Sequence, residues 1–335
     1  MEDLSAILYS FGITAPVKRC ERITTGHIND TYKIYSDEGI FILQKINTDV
    51  FRNPQNVMHN IEYAQRLIKQ GLQADGKYDS RKFPEYLRAE NRNYLLNNGF
   101  WRVYRYIESV SLPPDCRSVK AFGALLGEFH RYTESADISE LYTTIPGFHS
   151  IEKNISSVLH CGGLTAAQQS VFHSLLDFIT RSEKLLSPPR LVHNDVKWAN
   201  VLTDPQTLLP ETLIDYDTVM AGYAAFDFGD AVRSACVSRS FEPDYELLES
   251  FAEGYFSEYN RLGAEEAAFG IIAVAAELSA RYLYDILSGD NYFAGLTESE
   301  KTEKYQRNLR LAENSFNMRD EITDIISKAK VSPQH

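Results

Sequence analysis

Between Leu191 and Met220 the chain reads LVHNDVKWANVLTDPQTLLPETLIDYDTVM, a run of short apolar stretches separated by turns such as Asp204-Pro205-Gln206. Apolar stretches this short, bounded by turn residues, predict small strands in a region whose surroundings are helical. The density of His, Asp, Lys and Asn between them exceeds what a surface loop requires. His193, Asp195, Lys197 and Asn200 fall in the order H-x-D-x-K-x-x-N, and Asp215 ends an apolar strand twenty residues after Asp195.

That order has a chemical logic. Phosphoryl transfer asks little covalent chemistry of a protein, so a site for it needs a base beside the attacking hydroxyl, oxygen ligands for Mg²⁺ and cations to offset phosphate charge. Asp195, then Asn200 with Asp215, and Lys197 would supply these in turn, in the order of a kinase catalytic loop. His193 is read as a packed histidine that bonds backbone and shapes the loop.

The first hundred residues read as strands and one helix. Strands are expected at 17–23, 31–35 and 41–46, with the polar TTGHIND stretch and SDEG as turns. Asn53 and Pro54 open a helix in which Val57, Ile61, Ala64 and Ile68 share a face, and Gly71 is expected to stop it. Asn97-Asn98-Gly99 predicts a hairpin between strands at 94–96 and 101–107. After Glu108 the stretch SVSLPPD breaks the pattern, and from Val119 onward Phe122, Leu125, Leu126 and Phe129 recur at helical spacing. The expected division is an amino-terminal lobe, 1–107, and a carboxy-terminal lobe, 108–335, joined by a hinge at about 105–115.

Composition removes several alternatives. With 34 Lys and Arg against 46 Asp and Glu the formal charge is −12 and no basic run appears, so nucleic acid is not an expected partner. Cys20, Cys116, Cys161 and Cys236 are too scattered to wrap a metal and read as reduced thiols. The opening MEDLSAILYSFG lacks the basic start of a secretory signal, and the apolar window at 271–276 is interrupted by Glu277, Arg281 and Asp285. A cytoplasmic protein with no membrane partner is expected.

A Gly-bearing turn, a lysine on the third strand, a helix glutamate (Glu62) seventeen residues beyond it, a two-proline junction and then the polar island come in kinase order. Through TTGHINDTYKI and HNDVKWAN the chain resembles the aminoglycoside phosphotransferase and choline kinase superfamily. Within it the chain is similar to the bacterial N-acetylhexosamine 1-kinases, through GHINDTY, FILQKINTDVF, WRVYRYIE, HNDVKWANVL and IDYDTVMAGYAAFDFGDAVR. The resemblance implies a two-lobed, protein-kinase-like α+β fold and an enzyme that uses ATP and Mg²⁺ to phosphorylate the anomeric hydroxyl of a free N-acetylhexosamine. The same fold also serves acceptors such as choline, homoserine, a thioribose or an aminoglycoside, and a nucleotide-binding regulatory role is a third reading.

Residue by residue, the resemblance makes Asp195 the catalytic base, Asn200 and Asp215 the magnesium ligands, and Gly26, His27 and Asn29 part of a phosphate-covering turn. Arg281 and Tyr292 match an Arg and a Tyr that hold the sugar. If the junction is a kinase hinge, backbone near Tyr106 and Ile107 would bond adenine, while Trp101, Tyr104 and Tyr106 pack the sheet. One departure stands out. The superfamily's strand lysine falls in the register of Gln44, with Lys45 next to it, and adjacent strand residues face opposite ways. Either a bulge turns Lys45 toward the nucleotide and Glu62, or Gln44 fills the slot and Lys197 carries more of the charge. Asp217 is placed on an extended segment with Asp215, at the metal or the sugar; Asp227 and Asp230 are read as helix-start and packing carboxylates.

Overall fold

Alternation along the first strands buries one sheet face and leaves the other for chemistry. A computed structural model describes residues 4–24, 28–79, 83–289, 292–293 and 295–331. Its first part comprises α1 (Leu4–Ser10), β1 (Val17–Ile23), β2 (Asp30–Ser36), β3 (Gly39–Lys45), α2 (Pro54–Ala74), β4 (Leu95–Leu96) and β5 (Phe100–Arg105). The five strands form an antiparallel sheet in the order β1-β2-β3-β5-β4. Ile34, Phe41, Leu43, Trp101 and Val103 cover one face and pack on Ile7, Leu8 and Phe11. Helix α1, which periodicity in so short a stretch does not announce, is the lid over that face.

The hairpin turns where expected: Asn98 and Gly99 both take positive φ, at 46° and 147°. Helix α2, in contrast, runs past Gly71 to Ala74. A Cβ on Gly71 would lie 2.0 Å from the Tyr132 ring, so this glycine permits close packing and is not a stop. The chain turns instead at Gly76, with φ of 68°.

The helical part begins at α3 (Cys116–Tyr132), whose N-cap Asp115 accepts the Ser118 N–H at 2.7 Å just after the two prolines. Then come α4 (Ile151–Cys161), α5 (Ala166–Ser182), β6 (Arg190–Val192), β7 (Val201–Thr203), β8 (Pro210–Leu213), β9 (Met220–Gly222), α6 (Ala224–Ala235), α7 (Tyr245–Glu258), α8 (Ala264–Ser288), α9 (Glu298–Asn317) and α10 (Arg319–Val331). The polar island is thus two small ribbons, β6 with β9 and β7 with β8, set among helices. Helix α8 is long and apolar enough to cross a membrane, yet 78% of its most apolar window is buried against neighbours that include α4, α6 and α9.

Two features fix the position of the island. Asn60 of α2 is fully buried; its amide donates to the carbonyls of Val219 (2.8 Å) and Tyr142 (2.7 Å) and accepts the Tyr142 N–H (3.0 Å). That satisfied amide ties α2 to the island, and α2 shares the main core with the helical part. Helix α6 meets α8 backbone to backbone, because a Cβ on Gly270 would fall 1.9 Å from the Ala225 carbonyl and one on Gly229 would fall 2.3 Å from the Gly270 carbonyl. Gly270→Val should therefore destabilise the chain by about 1–3 kcal/mol, or more if the helices must separate. Urea unfolding measures this, and an unchanged midpoint would show that the helices can part freely.

Candidate active site

The loop after β6 is held almost entirely by groups distant in sequence. Asp227, in the first turn of α6 and fully buried, accepts the N–H groups of His193 at 2.8 Å and Asn194 at 2.7 Å, and its Oδ2 also lies 3.0 Å from His130 Nε2. Thr218 Oγ1 donates to the His193 carbonyl (2.8 Å), and Asn194, at φ of 65°, donates from its amide to the Thr218 carbonyl (3.0 Å). His193 Nε2 bonds the Ile214 carbonyl at 3.1 Å, and burial holds its pKa below the ordinary value, so it is a neutral, loop-shaping histidine. His149 bonds the Asn194 carbonyl (3.1 Å) from one nitrogen and Glu277 (2.6 Å) from the other. Burial opposes its protonation, but the buried Glu277 carboxylate outweighs that and raises its pKa.

Asp195 follows directly. Its Oδ2 accepts Lys197 Nζ at 2.7 Å and the Asn200 amide at 2.9 Å, and the same amide reaches the Asp195 carbonyl at 2.9 Å. Burial works against ionisation, yet the Lys197 charge prevails and holds the carboxyl below its usual range. Asp195 Oδ1 takes no hydrogen bond among the described residues, so an ionised oxygen is left that could accept a proton.

Asp215 is different. The Ile214 N–H bonds the Asn200 carbonyl at 3.0 Å, and Asp215 then turns with φ of 66°. The following Tyr216–Thr218 forms a 3₁₀ turn, so the extended segment expected to carry Asp215 and Asp217 is not present. The Asp215 carboxylate makes no hydrogen bond or ion pair among the described residues. Solvent reaches it at the cleft, but the protein around it and the nearby Asp217 and Asp195 charges push its pKa up to about 7. Asn200 Oδ1 is likewise without a partner among the described residues. Asp215 follows the residue whose N–H bonds the Asn200 carbonyl, and an unpaired carboxylate and an amide oxygen on segments so joined suit a hard divalent cation that takes its remaining ligands from water or phosphate. The described residues contain no set of three or more His, Cys, Asp or Glu that could hold a metal ion.

The sheet side corrects one expectation. Register runs unbroken from β2 through β3 to β5, so no bulge turns Lys45. Lys45 lies on the face opposite Gln44, with Nζ 5.2 Å from the Trp101 ring, while Glu62 pairs with Arg88 at 2.6 Å. A buried cation on the Gln44 face is Arg102 of β5, whose Nε donates to Gln44 Oε1 at 2.9 Å and whose Nη1 donates to Asp217 Oδ1 at 2.5 Å. Asn29 donates to the other Asp217 oxygen at 2.7 Å, so both oxygens expected at the metal or the sugar are occupied by protein. Gly26 and His27 lie outside the described residues. The Tyr106 N–H is taken by the Ile40 carbonyl (2.9 Å), its ring lies 3.5 Å from Lys33 Nζ, and Ile107 is buried.

Arg281 and Tyr292, which lie in separate segments, do meet: the guanidinium lies 4.8 Å from the tyrosine ring, 5.4 Å from Phe148 and 5.7 Å from Phe293. Tyr282 stacks on Phe293 with centroids 4.2 Å apart, and Asp285 accepts the Tyr292 N–H at 3.0 Å. Phe148 and Phe293 escape a sequence reading because nothing in their own spacing sets them beside Arg281. Asp230 is held by Arg233 at 2.6 and 2.8 Å, and the Arg233 and Tyr282 side chains feel the Asp195 and Lys197 charges. The aromatic group borders the Asp195 loop through His149, the chain neighbour of Phe148, which bonds the Asn194 carbonyl at 3.1 Å.

The sequence profile described as the phosphotransferase enzyme family matches residues 19–267. The chain belongs to this family. As a phosphotransferase it acts on a hydroxyl acceptor, and solved structures share its kinase-like fold. A spectinomycin phosphotransferase solved with ADP and spectinomycin aligns with TM-score 0.62 at 18% identity, over 95% of this chain and 98% of that one. A choline kinase from Streptococcus pneumoniae aligns with TM-score 0.62 at 18% identity, over 93% and 100%. A choline/ethanolamine kinase family protein from Mesorhizobium loti aligns with TM-score 0.57 at 15% identity, over 99% of each chain.

The state of Asp215 gives this phosphotransferase a testable pH dependence. A carboxyl whose pKa is raised on folding contributes stability while protonated, below about pH 4, and that contribution is lost as pH rises through about 7. Asp215→Asn should thus unfold at a higher temperature than wild type at pH 8 without divalent cation, and the difference should shrink as pH falls and vanish below about pH 4. Mg²⁺ at pH 8 should raise the wild-type midpoint and leave the variant's in place. Identical melting of the two proteins at pH 8 would mean that the Asp215 charge is not strained.

Proposed function

We propose that this phosphotransferase is a cytoplasmic sugar 1-kinase that uses ATP and Mg²⁺ to phosphorylate the anomeric hydroxyl of a free N-acetylhexosamine, N-acetylglucosamine or N-acetylgalactosamine. Residues 1–107 would cover the nucleotide and 108–335 would receive the sugar, with a hinge at about 105–115. The observation that carries the reading is the ionised Asp195 carboxylate, tied to Lys197 and Asn200 and bordering a recess of Arg281, Phe148, Tyr292 and Phe293.

Asp195 Oδ1 orients the acceptor hydroxyl and takes its proton as the oxygen attacks in line. Lys197 keeps that carboxylate ionised and adds positive charge where phosphate charge is transferred. Asn200 and Asp215 would hold Mg²⁺, which when bound neutralises charge on the nucleotide's phosphates. Among the described residues Asp215 is without a protein partner, as such a ligand needs to be.

The choice of acceptor class rests on charge. Choline and aminoglycosides are cations, and an aromatic recess would receive them through its ring faces. Here those faces already carry the Arg281 guanidinium, so a second cation would be repelled. A neutral polyhydroxy ring can stack on aromatic edges and accept hydrogen bonds from the arginine.

ADP release from ATP and Mg²⁺, with N-acetylglucosamine, N-acetylgalactosamine, homoserine, choline and kanamycin offered separately, tests this. Turnover is expected with the acetamido sugars, with the product shown to be the 1-phosphate, and none is expected with choline or kanamycin. Asp195→Asn should lower kcat about 1,000-fold with little change in the KM for ATP, because it removes a group needed in the transition state. Turnover on choline would overturn the acceptor reading, and an Asp195→Asn variant with normal kcat would overturn the mechanism.

A further inference from the structure

Strand β3 carries a neutral residue where a phosphate-facing cation is expected, and the missing charge is present one strand away. Arg102 is the cross-strand partner of Gln44 on β5 and is 1% exposed. Its guanidinium is shut off from solvent and donates to Gln44 Oε1 and Asp217 Oδ1. Gln44 passes the contact to Thr31 Oγ1 at 3.2 Å, and Asp217 Oδ2 holds Asn29, whose own side-chain oxygen accepts the Asn47 N–H at 3.0 Å. One carboxylate from the turn that bears Asp215 thus gathers β2, β3, β5 and the segment that leads out of the expected phosphate-covering turn. A buried pair so linked is stiff, because removing either partner leaves a charge without compensation in a low-dielectric place.

We propose that Arg102 is a positioning residue for phosphoryl transfer: by holding Asp217 and Gln44 it docks the sheet onto the turn of Asp215, and so sets that carboxylate against the phosphates of the bound nucleotide. In many kinases a strand lysine paired with a helix glutamate does this; here Lys45 points away, Glu62 is engaged by Arg88, and the latch is made between β5 and the turn after β8. The inference rests on the nucleotide-dependent reading above but not on the identity of the acceptor.

The test compares the affinities of MgADP and of adenosine, which lacks phosphates, in wild type, Arg102→Met, Arg102→Lys and Asp217→Asn, with thermal melting to confirm folding. Arg102→Met should weaken MgADP about tenfold or more while changing adenosine affinity less than about threefold, and kcat should fall about 100-fold, the scale of a small misplacement. Arg102→Lys should recover part of both losses. A folded Arg102→Met protein with MgADP affinity and kcat within about threefold of wild type would overturn the assignment, as would equal losses of MgADP and adenosine, which a purely structural role predicts. Should Arg102→Met not fold, Asp217→Asn, which keeps the shape of the pair, replaces it: a selective loss of MgADP supports the assignment, and an equal loss or none overturns it. Wild-type protein that binds adenosine but not MgADP would instead fell the nucleotide reading itself.

Discussion

Asp227 is the group on which the geometry of the site depends. Two successive N–H groups point at one fully buried carboxylate, and this arrangement is what turns the chain at Asn194 and sends Asp195 toward the cleft. The cost of burying that charge is offset because its oxygens receive the two N–H groups and His130, and together these hold it ionised against the burial that would neutralise it. Its position is in turn set by α6, which only glycine at 229 and 270 allows to lie so close to α8. The small helix contact and the loop that bears Asp195 are therefore one mechanical unit.

Around this loop lie three carboxylates that differ both in partner and in depth, from exposed Asp215 through half-buried Asp195 to buried Asp217. Asp195 has Lys197 and Asn200, and stays ionised. Asp217 has Arg102 and Asn29, and is closed off. Asp215 has neither a cation in contact nor a donor among the described residues, and the protein around it, with the Asp217 and Asp195 charges, raises its affinity for protons. That distribution separates the three: one is ionised with an oxygen that takes no hydrogen bond among the described residues, one has both oxygens bonded by protein, and one has no protein partner among the described residues. A chain that ionised all three without partners would be repelled apart at neutral pH.

The parts of this arrangement that are legible in sequence are those carried by local spacing. Alternation locates the five strands within a residue or two, and the H-x-D-x-K-x-x-N order brings Asp195, Lys197 and Asn200 together because a tight turn does so by itself. What local spacing cannot carry is partner choice across the fold. Asp227 reads as a packing carboxylate because its two donors lie more than thirty residues away. Gly71 reads as a stop because the Tyr132 ring that requires it belongs to another helix. Arg102 reads as one more strand residue, although its ladder partner Gln44 is conspicuous as the residue out of place.

That last pairing shows how a sheet can present a cation from one strand beside a neutral residue on the next. On an antiparallel ladder, cross-strand neighbours share a face and lie within side-chain reach of the same point. A cation moved from β3 to β5 can therefore serve the same space, provided its old position becomes neutral, since two adjacent cations around one carboxylate would repel. Gln44 meets that condition and adds an acceptor that orients the guanidinium plane. Arginine suits the new position better than lysine would, because its fork reaches Gln44 with one nitrogen and Asp217 with another at once. The neutral residue at position 44 and the buried arginine at position 102 thus belong to one arrangement.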